Sequence, residues 1–172
     1  MTNLNKQLSL SAQEVAHYFL SLDPQRKYFV DGKMPKIRGI AIPTIGNFRL
    51  NKLLHISQML YAAKQGKWLF SDPMLAFEHG GVVYDIYRRF HFLVRQSNQV
   101  SSNLSASIKR FLSKIFSHFS PYSDDELVEF VHDDPAWKSA WDSPSTKEMP
   151  RNQKTLDYYQ RFAAQIVEEV GL

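Results

Sequence analysis

Few residues in this chain have the types and neighbours that chemistry needs. His132, Asp133 and Asp134 stand together. An imidazole beside carboxylates can act as a general base or hold a divalent ion, with His79 as a more distant donor, and that would make a metal-assisted hydrolase or nuclease. The same three residues follow an apolar helical stretch and precede Pro135, where acids commonly accept hydrogen bonds from turn amides. That structural role is preferred. A second group is basic: Arg88, Arg89, His91 and Arg95 in one predicted helix, then Lys109, Arg110 and Lys114 in the next. Positions 88, 91 and 95 share a face and could meet the phosphates of a nucleic acid. No recognition-helix pair with a short glycine turn accompanies them, so a solvated face or a patch for an acidic protein is favoured.

The spacings of known catalytic motifs are missing. Gly80-Gly81 is the sole glycine pair, and no Lys-Ser/Thr follows it to make a phosphate loop. No nucleophile elbow, His-Glu-x-x-His or calcium loop occurs. No two of His17, His55, His79, His91, His118 and His132 lie three or four residues apart, so no helix face carries a ready pair of metal ligands. With no cysteine, thiol chemistry, disulfides and Cys-ligated zinc drop out. The expectation is a protein that is not an enzyme and takes no cofactor or metal.

The bulk composition is that of a folded domain. The 172 residues are 44% hydrophobic and 13% aromatic, enough for one core and short for two domains. The net charge of +4 is mild and demands no polyanionic partner. No apolar run nears the roughly 20 residues that cross a bilayer. The polar stretch Met1 to Leu10 lacks the apolar core of a signal peptide. A cytoplasmic protein without membrane contact is expected.

The elements that must position these residues can be read from periodicity and punctuation. Ser11-Ala12-Gln13-Glu14 is a capping box opening a helix that Asp23-Pro24 stops. Residues 25–46, rich in Gly and Pro, read as loop, with Tyr28-Phe29-Val30 and Ile40-Ala41-Ile42 as candidate strands. A helix runs from about Phe48 to Gln65, its Leu50, Leu53, Leu54, Leu60 and Tyr61 facing the core and Gly66 capping it left-handed. A tight bend at Gly80-Gly81 precedes a helix from about Tyr84 to Val94. Ser97 to Ser107 is a polar surface loop. Ile108, Phe111, Leu112, Ile115, Phe116 and Phe119 stripe a further helix that Pro121 ends. Ser123-Asp124-Asp125-Glu126 is a second capping box, His132 to Trp137 is a turn, and Pro150 starts a last helix reaching Val170. The predicted fold is mainly α (an α-rich α+β arrangement): one compact domain over 1–172, with about six helices and a small two- or three-stranded sheet.

Four blocks in this order are similar to those of the Panacea domain, the SocA-like or phage GepA-like antitoxin family. Leu50-Asn51-Lys52-Leu53-Leu54-His55-Ile56-Ser57-Gln58 resembles its Leu-x-Lys-Leu-Leu-Tyr-x-x-Gln helix, and Gly66-Lys67-Trp68-Leu69-Phe70 its Gly-Lys-Pro-Leu-Phe. Ala76 to Tyr87 resembles Ala-Trp-x-Tyr-Gly-Pro-Val-x-x-x-Val-Tyr, and His132 to Trp137 resembles Thr-His-x-x-x-Pro-Trp. The resemblance implies an antitoxin of a toxin–antitoxin system that binds and neutralises a toxin encoded nearby. One branch of the family instead delivers its toxin to an ATP-dependent protease. It implies scaffold roles for Gly80, Val82, Tyr87, His132, Pro135 and Trp137. Trp68, Tyr84, Tyr87, Arg88 and Trp137 are the candidate partner-binding side chains. Gly81 replaces the family's proline, which should loosen that bend.

Overall fold

Helix starts here are written by side chains placed to accept the free N–H groups of a first turn. In the computed structural model, which describes residues 10–32, 36–37, 40–41, 44–97 and 103–172, Ser11 caps α1 (Ala12–Ser21) and Ser123 caps α5 (Asp124–His132), both through the predicted capping boxes. Thr44 caps α2 (Ile45–Gln65), Ser105 caps α4 (Ala106–Phe119), and Asn152 caps α7 (Gln153–Phe162). Gly66 closes α2 in the left-handed conformation at φ 64°, as its position predicts. The remaining helices are α3 (Tyr84–Gln96), α6 (Pro135–Asp142) and α8 (Ala164–Val170).

α2 is the shaft of the fold. It touches α1, α3, α4, α5, α7 and α8 as well as the hairpin strand β4 (Gly80–Val82). A helix surrounded in this way must bury nearly every face, and an unbroken run from Leu50 to Leu60 is buried. Leu50, Leu53, Leu54 and Leu60 are fully enclosed, as their period predicts, while Tyr61 is half-buried against the edge of Phe111. Around the shaft, Phe19, Phe29, Phe70, Phe90 and Phe119 fill the core.

Two antiparallel two-stranded ribbons complete the described residues. β1 (Lys36–Ile37) pairs with β2 (Ile40–Ala41). β3 (Leu75–Phe77) pairs with β4, matching Leu75 to Val82 and Phe77 to Gly80. The segment ahead of α7 lies on the hairpin's other edge: Ala76 N–H donates to Lys147 O and Met149 N–H to Met74 O.

The mainly α class holds, with eight helices among the described residues where the sequence predicts six. His132 to Trp137 is not one turn. Only residues 133–134 turn, because Asp134 caps a new helix with Pro135 at its first position. The last helix breaks at Ala163, where φ −98° and ψ 2° leave the helical region. It begins after Asn152, not at Pro150, since Asn152 carries the capping oxygen. Residues 28–30 form no strand: the Asp23 carboxylate accepts from the N–H groups of Lys27, Tyr28 and Phe29, satisfying locally what a sheet would have satisfied. Ile40 and Ala41 are in a strand as predicted. Ile42 and most of the predicted 97–107 loop's start lie outside the described residues, as does the polar N-terminus up to Ser9.

Candidate functional site

Along one side of α2, polar residues recur at Asn47, Asn51, His55 and Gln58, spacings of four, four and three that keep them on one face. Each is buried, and each hydrogen-bonds main chain of a neighbouring segment. Asn47 Nδ2–H donates to Tyr87 O at 2.7 Å. Asn51 Oδ1 accepts from Val83 N–H at 3.1 Å. His55 Nδ1 accepts from Gly81 N–H at 2.9 Å. Gln58 accepts from Leu69 N–H and Phe70 N–H and donates to Phe70 O. This ladder pins residues 69–70, the β3–β4 hairpin and the start of α3 onto the shaft. Buried polar groups must be paired, so these side chains determine where the irregular chain lies.

The His55 rung extends into a closed network. With Gly81 N–H occupying the Nδ1 lone pair, the ring proton sits on Nε2, which donates to Asp134 Oδ2 at 2.7 Å. Tyr159 O–H donates to the same oxygen at 2.7 Å, and Ala136 N–H donates to Oδ1 at 2.8 Å. Asp134 is fully enclosed, so three donors replace its water. Burial, then the neighbouring Asp134 charge, pushes the Tyr159 hydroxyl well above its usual range, and it stays a donor.

Gly80 and Gly81 make the bend possible by what they lack. Gly80 has φ 121°, and a Cβ there would lie 2.6 Å from Val131 Cγ2. A Cβ on Gly81 would lie 2.7 Å from Met149 Sδ. Against the expected loosening at Gly81 stands one hydrogen bond. Its N–H, which a proline would not have, ties the bend to His55, and His55 stands where the family pattern has tyrosine.

The predicted hydrolytic cluster does not assemble. Asp134 points inward to the network just described. His132 stacks on Trp137 at 4.1 Å and donates from Nε2 to Glu78 O, while Asp133 is exposed. His79 lies with its ring against Phe48. Among the described residues no group of three His, Asp or Glu side chains is placed to hold a metal ion. The basic stripe is largely paired: Arg88 and Arg89 both bind Asp85, and His91 binds Asp31.

The candidate partner-binding residues separate into three places. Tyr84 is 52% exposed and Arg88 is exposed one turn on. Tyr87, half-buried, sits beside them with its ring against Phe77. Trp137 is only 7% exposed, and its Nε1–H donates to Phe77 O at 2.8 Å, which fastens α6 under the hairpin. Trp68 packs on Tyr159, with Arg151 over its face, away from α3. Of the scaffold residues, Gly80 makes the bend, Val82 is buried, His132 and Trp137 stack, and Pro135 opens α6.

Sequence reasoning missed Lys52. It is 2% exposed, and its ammonium lies 4.5 Å over the Phe48 ring with no carboxylate in ion-pair range among the described residues. Burial pushes its pKa down to about 7. The unfolded chain holds this proton up to about pH 10.4, so between about 7 and 10 the unfolded state binds more protons. Stability must therefore rise with pH across that window, and below 7 the full cost of burying the charge remains. Lys52→Met should remove this slope and stabilise the protein at pH 6 by about 1–3 kcal/mol. Denaturant unfolding of both proteins at pH 6 and pH 9 checks it. The signal in the sequence is a lysine inside a helix otherwise apolar on that side.

A family model described as "Antitoxin SocA-like, Panacea domain" matches residues 50–138. Neither the curated proteins nor the solved structures hold a match to the chain. The matched stretch begins within α2 and ends within α6, and so contains Asn51, His55, Gln58, the Gly80-Gly81 bend, Asp134 and Trp137. It includes nearly all of the ladder and the network that shape the hairpin face, and on that match the chain belongs to the SocA-like antitoxin family of Panacea domains.

Proposed function

We propose that this protein is the antitoxin of a toxin–antitoxin pair, working in the cytoplasm by direct binding of a toxin encoded nearby. The observation that carries the reading, beyond family membership, is the exposed Tyr84–Arg88 face at the start of α3. Tyrosine and arginine side chains of this kind provide most of the affinity in protein interfaces. Here they stand on backbone that the ladder holds rigid, so little ordering entropy is lost on binding. A stable complex would bury about 1,600 Å² in total. The whole chain, 1–172, acts as a single domain in this reading: α1, α7 and α8, which flank the matched stretch, all pack on α2. Trp68, half-buried against Tyr159, lies apart from this face, and delivery of the toxin to an ATP-dependent protease is the second route by which such an antitoxin would act.

The adjacent gene, expressed alone, should arrest growth, and co-expression of this chain should restore it. Tyr84→Ala with Arg88→Ala should weaken the purified complex at least tenfold, which is about 1.4 kcal/mol, while leaving thermal stability within about 0.5 kcal/mol, as for surface changes generally. A neighbouring product that is harmless alone, or that does not co-purify, would sink the reading.

A further inference from the structure

Beside the Tyr84–Arg88 face lies a cavity of ≈ 240 Å³ whose wall includes Phe48, Phe77, His79 and Tyr87, with Lys52 among its lining residues. Phe48 and His79 meet edge to face at 6.3 Å, and Phe77 and Tyr87 at 5.3 Å, so the rim is aromatic. Lys52 donates no hydrogen bond within the described residues and its sole recorded partner is the Phe48 ring. A buried ammonium without a carboxylate is costly to a fold, and among the described residues only the Phe48 ring offsets it. The cavity is large enough for one acidic side chain, and Tyr87 of α3 forms part of its wall.

We infer that this cavity is an anchor pocket for an aspartate or glutamate side chain of the partner protein, whose carboxylate pairs with the Lys52 ammonium while the aromatic rim excludes water. The inference rests on the toxin-binding reading and names the chemistry of its central contact. The buried cation is the point of charge complementarity: a carboxylate arriving from outside forms in a dry site the pair that the free chain lacks. Because the free amine is only partly protonated near neutral pH, complex formation must take up a proton at Lys52. The other titratable groups around the cavity are Glu78 and His79 on the hairpin and Tyr87 on α3; His132 reaches Glu78 only through its backbone carbonyl.

Two measurements test this. In the first, propionate and its neutral isostere propionamide are titrated into the free full-length chain, and the Lys52 side-chain NMR signal is followed against pH. Propionate should raise the Lys52 pKa saturably and propionamide should not; inorganic phosphate serves as the control for unspecific anion binding. A Lys52 signal indifferent to propionate, or equally moved by phosphate, overturns the pocket. In the second, calorimetry of the complex with the adjacent gene product is run in buffers of different ionisation enthalpy. Wild-type protein should take up a proton at pH 8, and Lys52→Met should lose both that uptake and at least tenfold in affinity. Lys52→Gln, which keeps a polar tip, guards against a folding defect in the methionine variant. Full affinity in both variants would refute the anchor while leaving toxin neutralisation standing. Failure of the wild-type protein to bind that product refutes the antitoxin reading and with it the protein-borne carboxylate.

Discussion

Asp134→Ala should cost this protein about 3–5 kcal/mol, a large share of the 5–15 kcal/mol that holds an ordinary domain together. The residue lies on no surface, and the loss comes from what its removal strands. His55 Nε2–H and Tyr159 O–H would be left without an acceptor in a dry interior, at about 1–3 kcal/mol each. Ala136 N–H would lose the cap of α6, about 1 kcal/mol more. These terms share one acceptor, so they will not add in full. Tyr159→Phe removes one donor together with its need for a partner and should cost less, about 1–1.5 kcal/mol. Urea unfolding followed by tryptophan fluorescence measures both. A loss under about 1 kcal/mol for Asp134→Ala would show that the network is not the keystone described here.

Gly81→Pro should be the second severe change, at about 2–4 kcal/mol, although it restores the residue of the family pattern. Proline has no N–H, so the buried His55 Nδ1 loses its donor. Its Cβ would also press on Met149 Sδ. The stiffening of the unfolded chain by proline returns only about 0.4–1 kcal/mol. Gly81→Ala keeps the N–H and suffers the crowding alone, so the difference between the two variants, corrected for proline's stiffening of the unfolded chain, reads the hydrogen bond. Equal stability of Gly81→Pro and wild type in guanidinium melts would refute the His55 tie. The position shows what a sequence pattern leaves out: the glycine that stands in place of the family's proline donates its N–H to a histidine in the facing helix.

The two carboxylate-rich and basic clusters that stand out in the sequence turn out to be structural or paired, whereas the groups with the most unusual surroundings were inconspicuous. Asp134 was legible as an acid before a proline, and its role as a helix cap follows from that. Its bonds to His55 and Tyr159 did not. Lys52 and Asn51 read as ordinary helix residues next to each other in a leucine-rich run. The polar ladder was present in the text as a spacing of four, four and three, yet such a stripe normally marks a solvated face. Only a helix enclosed on all sides turns it into a set of internal clamps.

The placement of Trp137 makes the same point about the candidate interface. As a large aromatic after a turn it resembles a binding anchor, but its indole is spent on Phe77 O and on stacking against His132 and Trp141. Tyr84 and Arg88, at the exposed start of α3, keep the accessibility that an interface needs.

By itself the sequence determined the mainly α class, both capping boxes, the left-handed stop at Gly66 and most core faces of the helices. These depend on residues within one or two turns of each other, so local order suffices. The tertiary structure alone decided that His132, Asp133 and Asp134 part company, that the Gly81 N–H binds His55, and that Lys52 lies buried beside a cavity. Those outcomes rest on partners 79 residues away for His55 and Asp134 and 26 away for Gly81 and His55. The chemistry that looked available in His132, Asp133 and Asp134 was claimed by the fold because an enclosed carboxylate must be satisfied before it can do anything else.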